Sequence, residues 1–287
     1  RVDALAHLDA PMNGISIVIR TKNSSATLPL VLSRLRRADG DELIVVDSGS
    51  TDDTVRIAEK AGARIVHIAS GEFTYGRSLN RGFAVARNDW ILSLSSHCIP
   101  GPDDLLGIYR QAIRRFPEDL AAAAGPMLYS DLDAAMGAGV TLFHGDDFAG
   151  GFGIGAGNPN CIYRRSVWSG RSFDELAEAS EDYEWYVWAI RAGWTLAIVH
   201  AATVYYRSQR GAAYFFNKGR IDYRAGRKLI VLPRPRVSVV CSHSAKLLLH
   251  ALLGKMPYHC FIASFWHYIG TYYESRWPLD PGHPRPA

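Results

Sequence analysis

The chain has few cysteines and no long apolar run. Cys98, Cys161, Cys241 and Cys260 lie far apart with no Cys-x-x-Cys pair, so neither a cysteine zinc site nor a disulfide framework is suggested, and a reducing compartment is expected. No uninterrupted apolar stretch approaches the roughly 18 residues of a membrane span, and the opening RVDALAHLDAP has no apolar signal core. Neither spanning nor secretion is expected. Walker, HExxH and GxSxG sequences are absent, as is any internal repeat. Gly151, Gly153 and Ala156 spell a GxGxxA fingerprint, and Glu175 lies near the spacing of its acid, but no strand signal precedes them.

What is present is an ordinary globular composition. The 287 residues are 48% hydrophobic and 21% charged, enough for one large domain with an appendage or for two small ones. The net charge of +4 is unevenly spread: residues 207–236 hold nine basic residues and one acid, Asp222, which leaves the remainder slightly acidic. Such a stretch can meet phosphates or an anionic membrane surface, or be a solvated face.

Apolar periodicity alternates between strand and helix through the first half. Ile15 to Ile19, Leu43 to Val46, Arg64 to Ile68 and Trp90 to Leu94 read as strands. Leu28 to Leu35, Val55 to Ala61 and Leu79 to Ala86 read as helices, with Ser50 and Asp53 set as a capping box. Pro102 is expected to open a further helix through Leu105, Tyr109, Ala112, Ile113 and Phe116. This alternation predicts right-handed βαβ units and a mainly parallel sheet with helices on both faces. Residues 131–160 are rich in Gly, Ala and Asp and read as loop; helix resumes at Ser180 to Ala192, followed by a strand at Thr195 to Val199. Beyond Arg207 the alternation ends, and Ser244 to Trp266 reads as helix interrupted near Pro257. The expected division is 1–206 and 207–287.

In a doubly wound sheet ligands bind beyond the carboxyl ends of the strands, so those ends are where chemistry is sought. They carry Arg20, Thr21, Lys22 and Asn23, then Asp47 in VVDSGSTDDT, then Ser95, Ser96 and His97. An ionised Asp47 can accept from a nucleobase or ribose, or simply close a turn. Glu181 and Asp182 stand in the first turn of a helix that Ser180 can cap, where the dipole favours carboxylates with or without a catalytic role. Tyr183, Trp185, Tyr186 and Trp188 around them can stack on a sugar or belong to the core.

Taken in order, ISIVIRTKN, VVDSGSTDDT, FTYGRSLNRGFAVARNDWILSLSSHCIP, GAGNPNCIYRRSVW and EDYEWYVWAIRAGW resemble the pattern of glycosyltransferase family 2 on the GT-A fold, from about Gly14 to Tyr206. The resemblance implies a nucleotide pocket at Thr21, Asn23, Asp47 and Arg77, with Ser48 where the family has a second acid. It implies a metal site for Mn²⁺ or Mg²⁺ at the family's Asp-x-Asp, which here is Ser95, Ser96 and His97; both acids are missing, leaving His97 as the contact for metal or diphosphate. It makes Asp182, beside Glu181, the base that deprotonates the acceptor. Residues 155–161 would lie beneath the donor sugar, with Asn158 or Asn160 facing sugar or acceptor. A further metal-binding histidine of the family aligns with Tyr206, His200 lying six residues earlier, and Arg207 with Arg210 would offset diphosphate charge instead.

The implied activity is inverting transfer of a sugar from a nucleotide diphosphate sugar to a hydroxyl of a saccharide or lipid-linked saccharide, in bacterial-type surface polysaccharide synthesis. It would take place in the cytoplasm or at the inner face of the membrane. The basic stretch and the leucine-rich tail can dock on that membrane or pack within the protein. The rival readings are a nucleotide-sugar-binding module that has lost catalysis, and a single-stranded nucleic-acid binder that stacks bases on Tyr214, Phe215, Phe216 and Tyr223.

Overall fold

A computed structural model describes residues 14–128, 139–145, 157–207, 211–229, 237–252 and 258–275. Of the glycine run only Gly157 and Asn158 fall within them; the fingerprint positions and Arg210 lie outside.

Eleven strands and nine helices are described. The strands are β1 (Ser16–Thr21), β2 (Glu42–Asp47), β3 (Arg64–His67), β4 (Trp90–Ser95), β5 (Cys98–Pro100), β6 (Leu120–Ala124), β7 (Met127–Leu128), β8 (Val140–Phe143), β9 (Asn160–Arg164), β10 (Thr195–Val199) and β11 (Val204–Tyr206). The helices are α1 (Leu28–Ser33), α2 (Thr54–Lys60), α3 (Tyr75–Ala84), α4 (Leu105–Arg115), α5 (Arg165–Gly170), α6 (Glu181–Arg191), α7 (Ala212–Leu229), α8 (Val237–Leu252) and α9 (Tyr258–Ser275). The main sheet runs β3-β2-β1-β4-β9-β6-β10-β8, parallel except where β9 and β8 pair antiparallel with their neighbours. Ile17, Val18, Ile19, Ile44, Val45, Val46, Ile91, Leu92 and Leu94 are fully buried, as expected for strands covered on both faces. A small second sheet, β5-β11-β7, sets Tyr206 in register with Cys98.

The chain passes β1, β2 and β3 on one side and then returns to place β4 on the other side of β1. Loops leaving β1 and β4 therefore diverge and open a crevice at their carboxyl ends, the topological switch point of the sheet. Because β9 runs antiparallel, residues 157–160 that enter it reach that same end, where Asn160 lies opposite Leu94.

Three local expectations are corrected. The Ser50–Asp53 capping box does not form: Ser50 bonds Asp47, while Asp53 precedes α2 without a side-chain cap and pairs with Arg56. Pro102 does not open α4, which begins at Leu105 with Asp104 accepting from the Gly107 amide; a carboxylate able to satisfy a free N–H sets the start. Ser180 has φ 63°, left-handed rather than the extended conformation of an N-cap.

The described residues fall into two compact units, one holding 14–128, 139–145, 157–176 and 181–207, the other 177–180 and the helices α7, α8 and α9. In the second unit α7 and α9 cross closely at two glycines: a Cβ on Gly219 would lie 1.9 Å from the His267 carbonyl oxygen, and one on Gly270 at 1.9 Å from that of Phe216. Asp222 accepts from Lys218 on its own helix and from His267 across the crossing.

Candidate active site

The first cluster is a hydrogen-bonded union of three strand-end loops. Asp47, 2% exposed, accepts from the Gly49 and Ser50 amides, both at 3.0 Å, and from the hydroxyls of Ser50 and Thr21 at 2.5 and 3.3 Å. Asn23, at φ 49°, accepts from the Thr51 amide at 2.8 Å and donates its own amide to Ser50. Ser24 joins the β1 loop to the β4 loop through the Ser96 hydroxyl at 2.7 Å. Thr21, Asn23, Asp47 and Ser96 are thus brought together, and Asp47 both closes a turn and ties the β1 and β2 loops to each other. Ser48, where the family has its second acid, is buried, and its hydroxyl has no hydrogen-bond partner. Arg77 stands apart from this union: its guanidinium holds Glu175 at 2.9 Å and the Glu72 carbonyl at 2.9 Å.

The second cluster surrounds the carboxylate pair. Asn158 is its hub, with an amide N–H donating to Asp182 Oδ2 at 2.9 Å and a side-chain NH₂ donating to Glu181 Oε1 at 2.8 Å. Its side-chain oxygen accepts from Tyr163, whose hydroxyl also meets that of Tyr186, so the orientation of the amide is fixed. Asp182 is half-buried, and its other oxygen accepts from the Tyr183 amide at 2.8 Å. Glu181 is only 4% exposed; burial, with repulsion from Asp182 second, pushes its carboxyl up to about 6. The two acids therefore have different environments, one reachable and one enclosed. Gly157 makes the arrangement possible, since a Cβ there would lie 2.6 Å from Asp182 Oδ2.

Asn160 does not face a ligand with its side chain. Its NH₂ donates to the Ala202 carbonyl at 2.6 Å and its oxygen accepts from Tyr109 at 2.9 Å, so it ties β9 to the loop before β11. Trp185 and Tyr186 are core residues, leaving Tyr183 and Trp188 as the partly exposed aromatics of α6.

His97 sits where the loop after β4 meets β11. The Ser95 hydroxyl lies 3.1 Å from its Nε2, its ring meets Tyr206 edge-on at 4.9 Å, and its carbonyl accepts from the Arg207 amide at 2.7 Å. His200 is engaged instead with Thr141 on β8. Among the described residues no three His, Cys, Asp or Glu side chains gather to hold a metal ion. One imidazole with flanking hydroxyls does not fit a protein-built site for Mn²⁺ or Mg²⁺, which prefer several oxygen ligands.

Sequence reasoning placed Arg20 in the polar cluster at the end of the first strand but gave it no role. It is the penultimate residue of β1, opposite Ser95, with a guanidinium 5.4 Å from the Tyr75 ring centroid and Nη1 3.8 Å from Glu181 Oε1. Its signal was a single cation closing the apolar run ISIVIR. Gly157 was likewise treated as one glycine among many.

In the second unit Phe215 and Tyr223 are buried, and Arg220 packs over Phe216 and Tyr273 at 5.9 and 5.1 Å, so these aromatics are packing groups rather than a base-stacking platform. Among the described residues no helix is long and apolar enough to cross a membrane.

The family model for glycosyl transferase family 2 matches residues 16–126. An uncharacterized glycosyltransferase of Rickettsia conorii is 40% identical over 82 residues, 29% of this chain and 28% of its own length. A PGL/p-HBAD biosynthesis glycosyltransferase of Mycobacterium bovis is 40% identical over 104 residues, 34% and 37% of the two chains. The matched part thus spans well under half of these relatives. Among solved structures, mannosyltransferase PcManGT from Pyrobaculum calidifontis in complex with GDP-Man and Mn²⁺ is 13% identical at TM-score 0.57, covering 95% of this chain and 92% of that one. Glucosyl-3-phosphoglycerate synthase from Mycobacterium tuberculosis is 22% identical at TM-score 0.56 over 77% and 82%. S. aureus TarS in complex with UDP is 17% identical at TM-score 0.55 over 73% and 64%. The fold is that of the GT-A glycosyltransferases, and residues 16–126 match the family model of glycosyl transferase family 2.

Proposed function

We propose that the protein is an inverting glycosyltransferase that moves a sugar from a nucleotide diphosphate sugar to a hydroxyl of a saccharide or lipid-linked saccharide. The observation that carries this reading is the asymmetry of the carboxylate pair. Asp182 is reachable and held by two backbone amides, a geometry suited to accepting a proton from an incoming hydroxyl. Glu181 is enclosed and acts as a positioning residue, fixing Asn158 and through it Asp182. The acceptor O–H gives its proton to Asp182 as its oxygen bonds to the anomeric carbon, and the bond from that carbon to the diphosphate oxygen breaks on the opposite face. The diphosphate leaves with the electron pair.

The donor nucleotide would occupy the crevice above the joined loops, with Thr21, Asn23 and Asp47 at base and ribose, and Ser95, Ser96 and Arg207 toward the phosphates. Mn²⁺ or Mg²⁺ would come with the donor's diphosphate rather than from a site built by the protein, with His97 as its protein contact. Solved neighbours with UDP and with GDP-Man support a nucleotide-sugar donor of this class. A role in surface polysaccharide synthesis at the inner face of the membrane is part of this reading, and a feature of the second unit supports contact with a membrane: Cys241, Ala245, Leu248, Leu249 and Leu252 form an exposed, largely apolar stripe on α8. An anionic bilayer suits that stripe together with the basic residues of α7, and would bring the enzyme to a lipid-linked acceptor.

The test is a titration with UDP, GDP, CDP and dTDP, followed by turnover of the matching nucleotide sugars in wild type and Asp182→Asn. Binding of one diphosphate, with turnover falling roughly 10²- to 10⁴-fold in the variant while binding persists, is the expected result. Binding without turnover in the wild type would favour the module that has lost catalysis. No binding of any nucleotide would overturn the reading.

A further inference from the structure

We propose that Arg20 meets the leaving diphosphate of the donor, supplying at the switch point of the sheet the positive charge that Ser95, Ser96 and His97 do not gather; this rests on the nucleotide-sugar reading above.

Position is the first argument. Arg20 pairs in register with Ser95 across β1 and β4, and paired residues of neighbouring parallel strands share a face. The guanidinium therefore lies on the Ser95 side of the sheet, at the crevice where the ligand of such a fold sits. Thr21 and Asp47, one residue on, pair with each other on the opposite face.

Unmet hydrogen bonding is the second. The Arg20 side chain is 12% exposed, and its buried Nη1 has no hydrogen-bond partner. Glu181 Oε1 at 3.8 Å is too far for one and already accepts from Asn158 at 2.8 Å. A guanidinium stays charged, and leaving one of its donors buried and unpaired is costly, a cost that an acceptor arriving with the ligand would remove. Phosphate oxygens match its planar fork.

The third argument is that the neighbouring cations are already engaged. Arg77 holds Glu175 and the Glu72 carbonyl, and Arg207 packs over the Tyr205 ring at 5.8 Å while its amide binds the His97 carbonyl. With no protein-built metal centre among the described residues, Arg20 is a buried cation in place, alongside Arg207, to stabilise charge as it develops on the leaving oxygen.

The experiment is calorimetry on the full chain, in EDTA and again with Mn²⁺, using whichever of UDP, GDP, CDP and dTDP wild type binds best, and the matching monophosphate. Wild type is expected to prefer the diphosphate in EDTA. Arg20→Met should weaken diphosphate binding about 10- to 100-fold and leave monophosphate binding within about threefold, with Arg20→Lys recovering part of the loss. Equal losses for both nucleotides would mean that Arg20 only packs the site and would overturn the proposal, as would an unchanged diphosphate affinity. A wild-type diphosphate preference that vanishes in EDTA would assign the charge to a metal and overturn it too. Failure of wild type to bind any nucleotide would instead bring down the underlying reading, and the proposal with it. Should Arg20→Met not fold, Arg20→Met with Glu181→Gln removes both buried charges and is compared with Glu181→Gln alone by the same criterion.

Discussion

Replacing Gly157 with Ala isolates the placement of Asp182 from every other property of the site. The added Cβ would stand 2.6 Å from Asp182 Oδ2, where ordinary contact begins at 3.4 Å, so the carboxylate must retreat by about 0.8 Å. That movement strains or breaks the 2.9 Å bond it accepts from the Asn158 amide, the anchor of its present orientation. Gly157 does not have left-handed φ, so alanine fits the backbone and gains about 0.4–1 kcal/mol through the unfolded chain. This gain partly offsets the lost bond, and stability should change by no more than about 1–2 kcal/mol. Catalysis should suffer far more: misplacing a reacting group by around 1 Å costs about a hundredfold, or ~2.7 kcal/mol of barrier. The assay is release of nucleoside diphosphate from the bound nucleotide sugar with acceptor present, read beside calorimetric binding of the diphosphate and thermal unfolding. Turnover should drop about 10²-fold with binding and melting little changed. Turnover within about threefold of wild type would refute the assignment of Asp182 as the positioned base, and a parallel loss of nucleotide binding would place Gly157 in the donor pocket instead.

Two other outcomes follow from named groups. With the Glu181 carboxyl pushed up to about 6 from an ordinary 4.5, the native state holds a proton that the unfolded chain has already lost between those values. Its contribution to stability therefore falls as pH rises through that window. Glu181→Gln removes this dependence, so urea unfolding should show the variant gaining about 2 kcal/mol on wild type between roughly pH 4 and pH 7; parallel curves would show that the burial penalty is absent. On α8, Leu248, Leu249 and Leu252 are 48%, 54% and 75% exposed, and changing all three to Ser should abolish flotation with phosphatidylglycerol vesicles while leaving nucleotide binding intact; unchanged flotation would remove the stripe from any membrane role.

The architecture was legible because β-branched runs and helical spacing are local signals. Strands at residues 42–47, 64–67, 90–95 and 195–199 and the helix at 181–191 appear within a residue or two of the sequence reading. Helix starts were less legible, because capping is a competition. Ser50 could serve the first turn of α2 or Asp47 three residues back, and the two local partners compete; in the structure Asp47 takes it with both carboxylate oxygens. Asn160 shows the limit of local reading: it stands two residues from Asn158, yet three-dimensional neighbours 42 and 51 residues away claim its side chain.

The sequence by itself determined the fold class, the strand ends that carry polar clusters, and the pairing of Glu181 with Asp182, because each is written in residues a few positions apart. It could not assign different environments to those two acids, since adjacent residues read alike until one is enclosed. Tertiary structure decided that difference by placing Asn158 between them, setting Gly157 close enough for Asp182 to settle, and bringing Arg20 within 3.8 Å of a glutamate 161 residues away. Burial and hydrogen-bond satisfaction depend on distance through space, and at a sheet's switch point that distance is set by the order of the strands rather than by the order of the chain.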